Sequence, residues 1–158
     1  MRSPSRRAVA AVAGAALAVA ATGCGSDMSA GDSRYIAAVN AAQQDFTRRF
    51  DRLSSRITAT STPHQDRQTL GRFEVAVHGV VRRLRAVQPP ARVETLHRRL
   101  ITEVAGYGAE IAAARQAFAS RDPRRVLAAQ GRLVGAVTDT GVRVNRTIDQ
   151  INDRLRAG

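Results

Sequence analysis

Glu94 and His97 stand three residues apart within a stretch of helical periodicity, so a carboxylate and an imidazole share one helix face. This Glu-x-x-His element is one that dinuclear metal bundles use, and the chemistry it offers is divalent metal binding. Such a site takes the element twice, with two further glutamates, whereas here it occurs once. Glu74, Glu103 and Glu110 flank neighbouring apolar stripes, and His78 lies one turn after Glu74, but none of them builds a second copy. The expectation is no metal, with Glu94 and His97 as the candidate ligands and His97 as a core-edge histidine near a helix start.

Other reactive constellations fare no better. A c-type haem needs Cys-x-x-Cys-His, and the chain has a single cysteine, Cys24. Met28 falls in a small, polar stretch, poorly placed for an axial ligand. Ser54, Ser61 and Ser120 sit at helix ends or in loops with no glycine elbow around them. Gly106 and Gly108 interrupt a helical stripe instead of joining a strand to a helix, so they make no phosphate cradle. Neither a cofactor nor an enzyme activity is expected.

The elements that carry these residues are four long segments of helical period. In the first, Asp32 to Ile57, Tyr35, Val39, Ala42, Phe46, Phe50, Leu53 and Ile57 step by threes and fours, with Asp32 or Ser33 as cap. Thr62-Pro63 supplies a cap and a first-turn proline for the second, whose stripe is Leu70, Phe73, Val77, Val80, Leu84 and Val87. Gln88-Pro89-Pro90 breaks the chain, because proline cannot continue the hydrogen-bond ladder. The third segment runs from Pro90 to Ala119 through Val93, His97, Leu100, Val104, Tyr107, Ile111, Ala114 and Phe118. After Asp122-Pro123, the fourth runs to Leu155 through Val126, Gln130, Leu133, Val137, Val144, Ile148 and Ile151. Amphipathic helices joined by short loops bury their stripes by folding back on one another. The fold class is therefore all-α, an antiparallel up-down-up-down four-helix bundle over residues 32–158.

Seven glycines fall inside these helices: Gly71, Gly79, Gly106, Gly108, Gly131, Gly135 and Gly141. Each costs about 1 kcal/mol relative to alanine in a helix interior. Close approach of neighbouring backbones, above all the third and fourth helices, is the favoured account. The alternative is a cavity lined by small side chains, with Tyr107 as its polar group and an apolar ligand inside.

Ahead of the bundle, Arg2, Arg6 and Arg7 precede an apolar run from Ala8 to Ala21, and Ala21-Thr22-Gly23 stands directly before Cys24. The run has 14 residues, too short for a membrane span of roughly 20. The segment resembles a bacterial lipoprotein signal peptide with its lipobox, departing from the common pattern in carrying Ala21 where leucine is usual. That resemblance implies cleavage before Cys24, residues 1–23 as signal peptide, a diacylglyceryl or palmitate-bearing Cys24, and a location on the outer face of the cytoplasmic membrane. Residues 24–31 then read as the lipidated cysteine and a flexible tether. A chain with 25 arginines, no lysine, and abundant alanine and valine is similar in composition to proteins of high-GC genomes, and the whole resembles small helical lipoproteins of actinobacteria.

The formal charge is +12. Loss of residues 1–23 leaves 22 arginines against 13 acids, or +9. Such a surface binds phosphates by counterion release, but export removes nucleic acid as a partner and leaves anionic headgroups and envelope partners of unknown identity. In the expected topology, Arg34, Arg82, Arg83, Arg85, Arg92, Arg98, Arg99, Arg154 and Arg156 gather at the pole where the tether enters. They are the candidate membrane-contact residues. The functional expectation is a non-enzymatic, membrane-anchored interaction module, with a carrier or sensor of a small apolar ligand in the bundle core as the alternative.

Overall fold

Helix starts are fixed by side chains that take up the free backbone N–H groups of the first turn. In the computed structural model, which describes residues 29–56, 61–120 and 122–157, α1 spans Ala30–Ser54. Ser29 Oγ accepts the Asp32 N–H at 3.2 Å, and the Asp32 carboxylate accepts the Ser29 N–H at 3.2 Å. This capping box starts the helix earlier than expected and makes Asp32 the third residue of the first turn, not the cap. Ala30 and Gly31, read above as tether, are helical. The segment from Met1 to Met28, with Cys24, lies outside the described residues, as do Ile57 and Arg121.

Helix α2 spans Pro63–Ala86 and opens on the expected cap, with Thr62 and Gln65 bonded reciprocally. Val87 turns extended ahead of the two prolines. Pro90 does not begin a long helix, as expected above. Ala91–Val93 form one 3₁₀ turn, and α3 spans Glu94–Ala117. Helix α4 spans Pro123–Arg156, with Asp122 accepting the Arg124 N–H at 2.9 Å. At 34 residues it runs about 51 Å, against about 37 Å for the 25-residue α1.

The fold is an all-α four-helix bundle with no strand among the described residues. No described helix is long and apolar enough to cross a membrane. Helix α1 packs on α2, α2 on α3, and α3 on α4. The interior divides into two clusters. Near the start of α1 all four helices share one core, built on Tyr35, Ala42, Val80, Leu84, Leu100, Ile151 and Leu155, with Val93 of the 3₁₀ turn beneath it. Toward the other end the buried residues are Leu70, Phe73, Val77 and Val81 of α2 with Ile111 and Ala114 of α3, while Phe46, Phe50, Leu53 and Leu133 are only half-buried against them.

Two expectations about the helix faces need correction. On α4 the buried row is Ala129, Thr140, Thr147, Ile151 and Leu155, and Gln130 is exposed. The glycines are not mainly close-packing devices. A Cβ at Gly108 would stand 3.3 Å from the buried Val77 side chain, yet one at Gly79, Gly106, Gly131, Gly135 or Gly141 would meet nothing within 4 Å.

The phenylalanines of α1 and α2 meet, with ring centroids 5.1 Å apart for Phe50 and Phe73 and 5.8 Å for Phe46 and Phe50. Their burial differs: Phe73 is 5% exposed and Phe50 half-buried. Phe73→Ala should therefore cost about 3 to 5 kcal/mol, and Phe50→Ala clearly less, because only part of its ring leaves an apolar contact. Denaturant melts of the two variants check this; equal losses would place Phe50 in the same core as Phe73.

Candidate functional site

Three chain segments converge where α1 begins. Asp32, 2% exposed, receives Arg92 Nη2 from the 3₁₀ turn at 2.6 Å, and the same guanidinium lies 3.4 Å from the Leu155 carbonyl near the end of α4. Burial raises the Asp32 pKa, but the hydrogen bonds and charge of Arg92 and Ser29 outweigh it and hold the carboxyl below the usual carboxylate value. Beside this pair, His97 bonds through Nε2 to the Leu84 carbonyl at 2.9 Å and through Nδ1 to the Tyr35 hydroxyl at 3.2 Å. A carbonyl only accepts, so Nε2 carries the proton, and Tyr35 donates to Nδ1.

This settles the roles of Glu94 and His97. Both ring nitrogens of His97 are engaged inside the bundle, while Glu94 is exposed and paired with Arg98 on the helix surface. They do not form a common site, and no group of three or more metal-binding side chains exists among the described residues. Burial pushes the His97 imidazole below the usual histidine value against the opposing bond to Leu84.

Of the arginines expected at this pole, five are ion-paired. Arg83 reaches Asp45 at 2.6 Å, Arg92 holds Asp32, Arg98 pairs with Glu94, Arg99 meets Glu103 at 3.0 Å, and Arg156 lies 3.9 Å from Asp153. Asp45 and Glu103 thus oppose positive charge that the sequence leaves uncompensated. Arg34, Arg82, Arg85 and Arg154 are exposed and pair with no carboxylate among the described residues.

A well-formed concavity lies elsewhere, along the side of the bundle between α1 and α4. It encloses about 510 Å³, within the roughly 300–1,000 Å³ of small-molecule sites. Its floor is Val80 and Leu84 of α2 with Leu100, Val104 and Tyr107 of α3. One wall is Val39, Ala42, Phe46 and Phe50 of α1, and the other is Val137, Val144 and Ile148 of α4. Val142, at 54% exposure, and Gly141 form the lip on α4. Along the mouth stand Gln43, Thr47 and Asp51 on α1 and Thr138 and Asn145 on α4.

The groove exists because the two outer helices carry apolar residues on a face wider than the α2–α3 pair can cover. Phe46, Phe50, Val137 and Val144 belong to the expected core stripes, and each ends half-buried, with one flank on the bundle and the other on the groove. Within it, burial pushes the Tyr107 hydroxyl up to about 12, so it stays protonated at neutral pH. That hydroxyl has no hydrogen-bond partner among the described residues. The sequence signal for the site was the run of glycines, since Gly141 leaves the lip bare. Gln43, Thr47, Thr138 and Asn145 carried no pattern that marked them.

No protein-family model matches this chain, and no curated protein or solved structure is significantly similar to it.

The His97 environment gives a pH dependence. The fold holds the imidazole neutral, whereas the unfolded chain takes up a proton as pH falls through 6.5. The unfolded state then binds more protons, so stability rises with pH across that window and is lost as pH falls. Thermal melts at about pH 7 and pH 5 should show a lower midpoint at the acid value, and the drop should shrink in His97→Gln. A variant with the wild-type slope would assign the acid sensitivity to other groups.

Proposed function

We propose that this chain is a non-enzymatic, lipid-anchored module on the outer face of the cytoplasmic membrane that binds a small apolar ligand in the groove between α1 and α4. The groove carries the reading. A bundle that needed only to be a rigid spacer would gain stability by closing its fourth side, since each exposed apolar Å² forgoes about 25 cal/mol. The lipobox-like segment before Cys24 supports the anchor. Equilibrium binding of a single-chain lipid to the purified chain, followed by native mass spectrometry, tests the groove; a chain that takes up no lipid and carries none on purification contradicts it.

The anchor has its own test. A diacylglyceryl group supplies about 0.8 kcal/mol per buried CH₂ over two chains, far more than a patch of arginines. Cys24→Ala should therefore move the protein from salt-washed membranes to the soluble fraction. Retention at wild-type levels would refute lipidation as the means of attachment.

A second reading concerns the pole where α1 begins, and the unpaired arginines favour it. Arg82, Arg85 and Arg154 offer charge that no carboxylate among the described residues neutralises, and each basic residue near an anionic surface is worth about 1 kcal/mol. We propose that they rest on acidic headgroups beside the anchor. Changing these three to Glu should weaken binding of the Cys24→Ala chain to anionic vesicles much more than changing Arg67, Arg124 and Arg132. Equal losses would mean that charge acts without orientation.

A further inference from the structure

The chain carries 25 arginines, yet among the described residues no arginine lines the groove, and the one charged lining residue is Asp51. A fatty-acid anion seated there would lose hydration without gaining a cation, which is costly in a low-dielectric site. The polar groups are unevenly spread. Nearest the start of α1 the lining is Val39, Val80, Leu84, Leu100, Val104 and Ile148, all aliphatic, whereas Gln43, Asn145, Tyr107, Thr47, Thr138 and Asp51 stand from the middle of the groove to its far end. The Thr138 hydroxyl donates to its own helix at Val134, leaving its lone pairs open to a donor. From Val39 to Asp51 the site extends along α1 by about 18 Å, the proportions of one alkyl chain.

We infer that the groove takes an uncharged single-chain lipid of the monoacylglycerol type, its acyl chain running toward the core at the start of α1 and its hydroxyl and ester head held by Tyr107 and Thr138. The inference rests on the proposed apolar-ligand function and specifies the ligand's charge and direction.

Calorimetric titration of the full chain carrying Cys24→Ala, with monomyristoylglycerol and with myristate, each below its micelle concentration, tests this. Monomyristoylglycerol should bind at least about tenfold more tightly, a margin set by the unpaired buried carboxylate of myristate. Tyr107→Phe should weaken the monoacylglycerol about tenfold, the worth of one hydrogen bond. Gly141→Leu, placed where a side chain meets no neighbour, should abolish binding while keeping or raising the melting temperature. Tighter or equal binding of myristate overturns the uncharged-ligand inference and leaves the apolar groove standing. Binding indifferent to Tyr107→Phe overturns the placement of the head. No binding of either lipid by a folded chain, or a dimer in sedimentation that Gly141→Leu dissolves, overturns both the inference and the function beneath it.

Discussion

The Asp32 carboxylate joins three parts of the chain that are distant in sequence, and the form of the bundle follows from where that junction lies. One oxygen takes the Ser29 N–H that begins α1 and the Arg92 guanidinium that enters α3, and Arg92 in turn reaches the Leu155 carbonyl near the end of α4. Removing Arg92 would leave a carboxylate 2% exposed with no cation, while removing Asp32 would strand Arg92 against a helix end. Directional bonds of this kind set the position of the outer helices at one pole, where apolar packing alone is indifferent to small slides. Next to it, the Tyr35–His97–Leu84 chain of hydrogen bonds ties α1, α3 and α2 without any net charge. A further polar link is also placed inside: Thr147, fully buried, donates to Glu103 at 3.2 Å, joining α4 to α3.

Beyond that pole no comparable bond among the described residues holds α1 to α4. The α2–α3 pair continues at close range, with Gly108 letting the α3 backbone approach Val77, and the outer helices lean on it through half-buried side chains. The resulting cleft is therefore a consequence of fastening at one end only. Its walls belong to the two outer helices, which pack on α2 and α3 and not closely on one another. A ligand that fills the cleft restores the missing fourth side and stabilises the folded state by mass action.

How much of this the sequence disclosed depends on the kind of signal. Helix α2 was legible throughout, because Thr62-Pro63, a stripe of large apolar residues and the Gln88-Pro89-Pro90 break all agree. The start of α1 was misplaced because Ser29 and Asp32 share the cap, and only the reciprocal bonds tell which stands outside the helix. The buried face of α4 was rotated in the reading, since Thr140 and Thr147 are polar and carry no weight in apolar periodicity although both are buried. An apolar stripe reads the same whether it meets a neighbouring helix or lines a cleft. For that reason Val137 and Phe50 were legible as inward-facing but not as groove-lining. Gly141 and Tyr107 carried the only hint, and it was set against a close-packing account that holds for Gly108 alone.

Charge segregation follows from the same geometry. The ion-paired arginines occupy outer helix faces, where their carboxylate partners lie mostly one turn away on the same helix, as in Arg49 with Asp45 and Arg99 with Glu103. Pairs of this kind add little to stability, about 0.3 to 0.5 kcal/mol each, but they hold guanidinium groups on their own helix surface. An arginine in the groove wall would snorkel toward solvent across the mouth, narrowing it and supplying a counterion for any anion that entered. The lining contains valine, alanine, phenylalanine and glycine at those positions, in a chain where roughly one residue in six is arginine. A largely apolar groove with no arginine among its described lining residues discriminates by desolvation, favouring hydrocarbon over anionic groups.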